Sequence, residues 1–143
     1  MILPDVNTLL YAINSSSDQH PVALRALRLG FDDPRGVALA WTALLAFLRL
    51  STRRGIFPRP LSVEDALRVI DRWLAHPRAQ VVHPGDRHAE ILGHLLRSAG
   101  TAGNLTTDAH LAALAVEHGA TVLSFDRDFA RFEGVQWTLP VAD

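Results

Sequence analysis

The segment Thr107-Asp-Ala-His-Leu-Ala-Ala-Leu-Ala-Val-Glu-His-Gly-Ala-Thr-Val-Leu-Ser-Phe-Asp-Arg-Asp-Phe129 decides the fold. Its first half reads as a helix from Thr107 to His118, ended by Gly119 in the place a C-capping glycine takes. Its second half, Thr121 to Phe125, reads as a strand. A helix passed straight to a strand is half of a βαβ unit, and such units build a parallel sheet with right-handed crossovers.

The same alternation runs through the rest of the chain. Met1 to Val6 reads as a short buried strand and Asn7 to Ile13 as a first helix. Asp18 to Phe31 reads as a second helix, with Pro21 near its start, apolar Val22, Leu24, Leu27 and Phe31, and a stop at Gly30. After the turn Asp32-Asp33-Pro34-Arg35-Gly36 come a second strand, Val37 to Ala40, and a largely apolar helix, Trp41 to Arg53, expected to be buried on most sides. Ser62 with Asp65 resembles a capping box for a helix with the apolar face Ala66, Leu67, Ile70, Trp73 and Leu74. Gln80 to His83 is the third strand, Asp86 to Leu96 a helix, and Val135 to Leu139 the fifth strand. The expectation is one α/β domain over residues 1–143, a central parallel sheet of four to five strands flanked by helices.

At 143 residues, 48% hydrophobic and 20% charged, the composition is that of a soluble globular protein. The longest apolar run, around Val37 to Leu50, is too short to span a bilayer, and Asp5 and Asn7 interrupt any signal-peptide pattern. A cytoplasmic location with no membrane partner is expected. No cysteine is present, which excludes disulfides, zinc thiolates and thiol nucleophiles. The net charge of -1 does not itself point to nucleic acid. All fourteen basic residues are arginine, however, whose forked donors suit phosphate. Arg49, Arg53, Arg54 and Arg59 cluster in a segment, Pro34 to Val63, that holds no acid; a solvated helix end explains that cluster equally well.

Four aspartates fall where a strand gives way to a loop or helix: Asp5, Asp108, and the pair Asp126 and Asp128. In an open parallel sheet the carboxyl ends of the strands face one crevice, where ligands bind. Carboxylates gathered there, with no lysine to neutralise them, suit a hard divalent cation. Each has a plain structural reading as well. Asp5 serves as a helix cap, Asp108 favours the positive end of a helix dipole, and Asp126-Arg-Asp128 makes a polar turn. Thr106 or Thr107 can cap the late helix in place of Asp108, leaving it free. Asn7 stands two residues from Asp5, placed to orient it or to meet a phosphate. The seven histidines show no metal-ligand spacing and most read as surface or capping residues; His110 falls on a different helix face from Asp108.

Asp5-Val-Asn7, Asp108-Ala-His-Leu-Ala-Ala-Leu-Ala and Ser124-Phe-Asp126-Arg-Asp128-Phe129 together resemble the PIN-domain nucleases, and more narrowly the VapC toxins of bacterial toxin–antitoxin pairs. The segments Trp41-Thr-Ala-Leu-Leu-Ala-Phe-Leu-Arg-Leu-Ser-Thr and Ile56-Phe-Pro-Arg-Pro-Leu-Ser are similar to an actinobacterial, mycobacterial-like subgroup. The resemblance covers essentially the whole chain. It implies a Mg²⁺- or Mn²⁺-dependent endoribonuclease, usually dimeric, held inactive by a cognate VapB-like antitoxin. Most members carry a glutamate that would fall near Leu45 or Ala46, and this chain has no acid there, which leaves the number of metal ions open. On this reading Asp5, Asp108 and Asp126 are catalytic metal ligands. Asp128 is either a further ligand or a turn residue, and Asn7, Arg49 and Arg53 position the RNA substrate. The alternative is a catalytically weak or inactive module that binds RNA or a protein partner.

Overall fold

The computed structural model describes residues 1–142. Five parallel strands form one sheet in the order β3-β2-β1-β4-β5, namely β1 (Ile2–Pro4), β2 (Val37–Leu39), β3 (Ala79–Val81), β4 (Thr121–Leu123) and β5 (Trp137–Thr138). Six α-helices connect them: α1 (Val6–Ile13), α2 (His20–Asp32), α3 (Trp41–Thr52), α4 (Val63–Ala75), α5 (His88–Ala99) and α6 (Thr106–His118). Strand and helix ends differ from the sequence reading by up to three residues. No helix of the described residues is long and apolar enough to cross a membrane.

Two cores form, one on each face of the sheet. Helices α1 to α4 close over Val37 and Leu39 around Leu9, Leu44, Phe47 and Trp73. Helices α5 and α6 cover Leu3, Val122 and Phe129 on the other face. The chain therefore leaves β1 toward one face and approaches β4 from the other. That change of face puts the switch point, and its crevice, between β1 and β4.

Local chemistry explains most boundaries. Gly119 adopts a left-handed φ of 65° and ends α6, as its position implied. Ser62 Oγ accepts the Asp65 N–H at 3.0 Å and starts α4, while the Asp65 carboxylate pairs with Arg68 instead of returning to Ser62. Gly30 does not stop α2, which runs on to Asp32. A β-carbon there would collide with the Ile2 side chain, so glycine is what lets α2 lie close against β1. Helix α3 is not buried on most sides: Trp41 is 44% and Leu45 56% exposed. Its apolar residues exceed what one packed face can cover.

The histidines also depart from expectation. His88 Nε2 and His110 Nδ1 lie 2.9 Å apart in the α5–α6 interface, and His88 Nδ1 stands 3.4 Å from the Glu117 carboxylate. These rings pack between helices instead of merely decorating the surface. Burial, then neighbouring His88, holds the His110 imidazole below its usual pKa, with Glu117 opposing.

Candidate metal and nuclease site

Strand register assembles the site. Ile2 is level with Val37 on one side and Thr121 on the other. Continued three residues, one position past the end of each strand, that register sets Asp5, Ala40 and Ser124 in one row at the carboxyl edge of the sheet. Adjacent strands lie about 4.8 Å apart, so residues from opposite ends of the chain become neighbours.

Asp5 ends β1 and caps α1: its Oδ1 accepts the Thr8 N–H at 2.8 Å. Its Oδ2 accepts a hydrogen bond from Ser124 Oγ. Ser124 Oγ in turn accepts the Asp126 N–H at 2.9 Å, so one buried hydroxyl links the first strand to the loop after the fourth. The Ser124 carbonyl accepts from Trp137 Nε1 at 3.0 Å, and Thr8 Oγ1 donates to the Leu123 carbonyl at 3.0 Å. Phe125, next along, meets the Tyr11 ring edge-on at 5.2 Å. Asp5 is 4% exposed and its pKa is raised by that burial, against the downward pull of the Ser124 and Thr8 hydrogen bonds.

Asp108 lies half-buried in the first turn of α6 and makes no hydrogen bond among the described residues. Neither Thr106 nor Thr107 caps the helix, because both lie inside it. Burial pushes the Asp108 carboxyl up to about 6, and repulsion from Asp126, Asp5 and Asp128 adds to it. Asp108 therefore lies in the field of the other three carboxylates, and Asp5 in that of Asp126. Asp126 caps a short 3-10 turn, Arg127–Arg131, by accepting the Asp128 N–H at 2.8 Å. Asp128 is exposed on that turn.

The other candidates are more dispersed. Asn7 is exposed in the first turn of α1, beside Asp5. Arg49 is exposed in the last turn of α3 and Arg53 follows the helix end. Twelve residues of α3 span about 18 Å, so Arg53 is far along the helix from the crevice end. Ser124 and Thr8 escaped the sequence reading. Ser124 does open the motif Ser124-Phe-Asp126-Arg-Asp128-Phe129, but as a small polar residue ending an apolar strand it carries no sign of its bond to Asp5.

Carboxylate and hydroxyl oxygens are the donors a hard divalent cation takes, and the repulsion recorded at Asp108 is what such an ion would relieve. The donor chemistry fits. As the side chains lie, no three His, Asp or Glu groups among the described residues stand close enough to hold one ion in common. Asp5 is turned into Thr8 and Ser124, and Asp108 makes no hydrogen bond among the described residues.

Comparison with known proteins agrees with this architecture. A family model described as PIN domain matches residues 2–135. Ribonuclease VapC37 of Mycobacterium tuberculosis is 51% identical over 142 residues, 99% of each chain. Ribonuclease VapC33 of the same organism is 38% identical over the full length of both. Among solved structures, VapBC2 from Rickettsia felis, bound to a promoter DNA fragment, gives a TM-score of 0.70 at 20% identity, covering 97% of this chain and 98% of that one. Mycobacterium tuberculosis VapC20, a sarcin-ricin-loop-cleaving toxin, gives 0.68 at 21% identity, covering 95% and 99%.

Proposed function

Because the chain belongs to the PIN-domain family, among the VapC ribonucleases, we propose that it is the toxin of a toxin–antitoxin pair, an endoribonuclease that hydrolyses RNA phosphodiester bonds with Mg²⁺ or Mn²⁺. The whole chain, residues 1–143, acts as one nuclease domain in the cytoplasm, pairs with a VapB-like antitoxin and self-associates as a homodimer. The observation that supports this most is the placing of Asp5, Asp108 and Asp126 around the sheet switch point, where Asp108 lies in the field of Asp126, Asp5 and Asp128.

Asp5, Asp108 and Asp126 would hold the ion, with Asp128 at its margin. A bound divalent cation supplies neutralising charge at the scissile phosphate and an acidified water for attack. The protein's own groups do the rest. Ser124 fixes the Asp5 carboxylate and the Asp126 backbone relative to each other. Asp108, which makes no hydrogen bond among the described residues, would give up none on taking the ion. Asn7 offers an amide to a phosphate oxygen beside Asp5, and Arg49 and Arg53 attract the RNA backbone without reading sequence. No side-chain nucleophile is required.

A second reading, a weak or inactive module that binds RNA or protein, is favoured by the acid-free segment 34–63 and by the absence of three converged ligands among the described residues. Incubating the purified protein with total cellular RNA, in Mg²⁺, Mn²⁺ or EDTA, separates the two. Discrete metal-dependent fragments that vanish in Asp5→Ala and Asp108→Ala are expected. Cleavage unchanged in those variants refutes the site, and RNA left intact by the wild type in either metal supports the second reading.

A further inference from the structure

We propose that Trp41 is a base-stacking residue of the RNA site, a positioning role that rests on the ribonuclease reading and extends it. Trp41 is the first residue of α3 and directly follows Ala40, one residue past the end of β2, just as Asp5 is one residue past the end of the neighbouring β1; continuing the Ile2–Val37 register sets the two level. The indole therefore leaves the backbone one strand spacing, about 4.8 Å, to the side of Asp5 and one residue beyond it.

The three tryptophans are used differently. Trp73 is 8% exposed and meets Phe47 edge-on at 5.0 Å. Trp137 spends its indole N–H on the Ser124 carbonyl. Trp41 has no ring partner and no hydrogen bond among the described residues, and it is 44% exposed at the start of α3. Leu45, one turn along the same helix stripe, is also exposed. The crevice thus has a carboxylate side, contributed by β1, α6 and the loop after β4, and an uncharged aromatic side contributed by α3.

A scissile phosphate held near the carboxylates carries a base on each side, and single-stranded RNA exposes the faces of those bases. A flat apolar ring one strand from the phosphate is matched to such a face. Two exposed side chains offer about one base's worth of surface, whereas a stable protein interface needs roughly 800 Å² from each partner. The charge agrees as well. Helix α3 carries no acid, and Arg49, its one charged residue, is exposed and without an ion-pair partner among the described residues. Nothing on this lip repels a phosphodiester backbone.

The test is tryptophan fluorescence during titration with a short single-stranded RNA in EDTA, where no cleavage interferes. Trp41 is the most open indole, so stacking should quench the wild-type emission, and Trp41→Leu should lose that quench. Its Kd should rise roughly 5- to 150-fold, and Trp41→Phe should restore most of the affinity. In the metal-dependent cleavage assay Trp41→Leu should raise KM far more than it lowers kcat. Equal RNA affinity for wild type and Trp41→Leu, or a Phe variant as weak as Leu, overturns the proposal while leaving wild-type cleavage intact. So does a change in sedimentation behaviour or antitoxin capture with RNA affinity unchanged, which would assign the lip to a protein contact. A wild type that neither binds nor cuts RNA fails both readings together.

Discussion

Replacing Asp108 by asparagine should make the metal-free protein more stable while abolishing its cleavage of RNA. The Asp108 carboxyl sits at about 6 instead of the usual 3.8, chiefly through burial and then through Asp126, Asp5 and Asp128. A shift of about 2 units corresponds to roughly 3 kcal/mol at 1.36 kcal/mol per unit. The side chain is only half-buried, so solvent screening reduces this to about 1 to 1.5 kcal/mol. Asparagine keeps the shape, carries no charge and sacrifices no hydrogen bond, since Asp108 makes none among the described residues. In EDTA at pH 7.5 the Tm should therefore rise by about 3 to 6 °C. The sign follows from proton uptake. Between pH 3.8 and about 6 the folded state holds the extra proton, so this group costs stability increasingly as pH rises through that window. Above pH 6 the cost is complete, and near pH 3.8 it is gone. Wild type and Asp108→Asn should then differ fully at pH 7.5 and converge near pH 4. Mg²⁺ should raise the wild-type Tm and leave the variant's nearly unchanged. A variant that melts below wild type in EDTA at pH 7.5, or a gap that does not close in acid, refutes the account of Asp108 as a strained member of a carboxylate cluster.

Three other outcomes are expected. Ser124→Ala strands Asp5 Oδ2 and the Asp126 N–H together and should cost about 2 to 3 kcal/mol in urea unfolding, with reduced cleavage by the folded fraction. Gly30→Ala drives a β-carbon into Ile2 and should lose about 1 to 3 kcal/mol in the same assay, although alanine is the better helix former. His110 has its pKa lowered in the fold, so the unfolded chain takes up the proton first and this residue's contribution should fall as pH drops below about 6.5; a His110→Leu variant should show a flatter Tm profile between pH 7 and 5.

What sequence reveals here follows the range of the interactions concerned. The strand–helix alternation, the Gly119 cap and the Ser62 cap are legible because each depends on neighbours within a few residues. The placing of Asp5 and Asp126 at strand ends is legible for the same reason, and parallel topology does the gathering. Gly30 misleads because its cause is Ile2, far off in sequence, so a packing glycine looks like a helix stop. The apolar run of α3 reads as core, and nothing within it tells that Trp41 and Leu45 face outward. The His88–His110 contact joins two helices, and the Ser124–Asp5 bond spans 119 positions. No local pattern encodes either.

That span has a consequence for the order of events during synthesis. Asp5 leaves the ribosome more than a hundred residues ahead of Ser124, and β1, which lies mid-sheet, waits for β4 to be translated before its second edge is covered. The bond between Asp5 and Ser124, and with it the link from β1 to the loop after β4, therefore closes only once nearly the whole chain has been made.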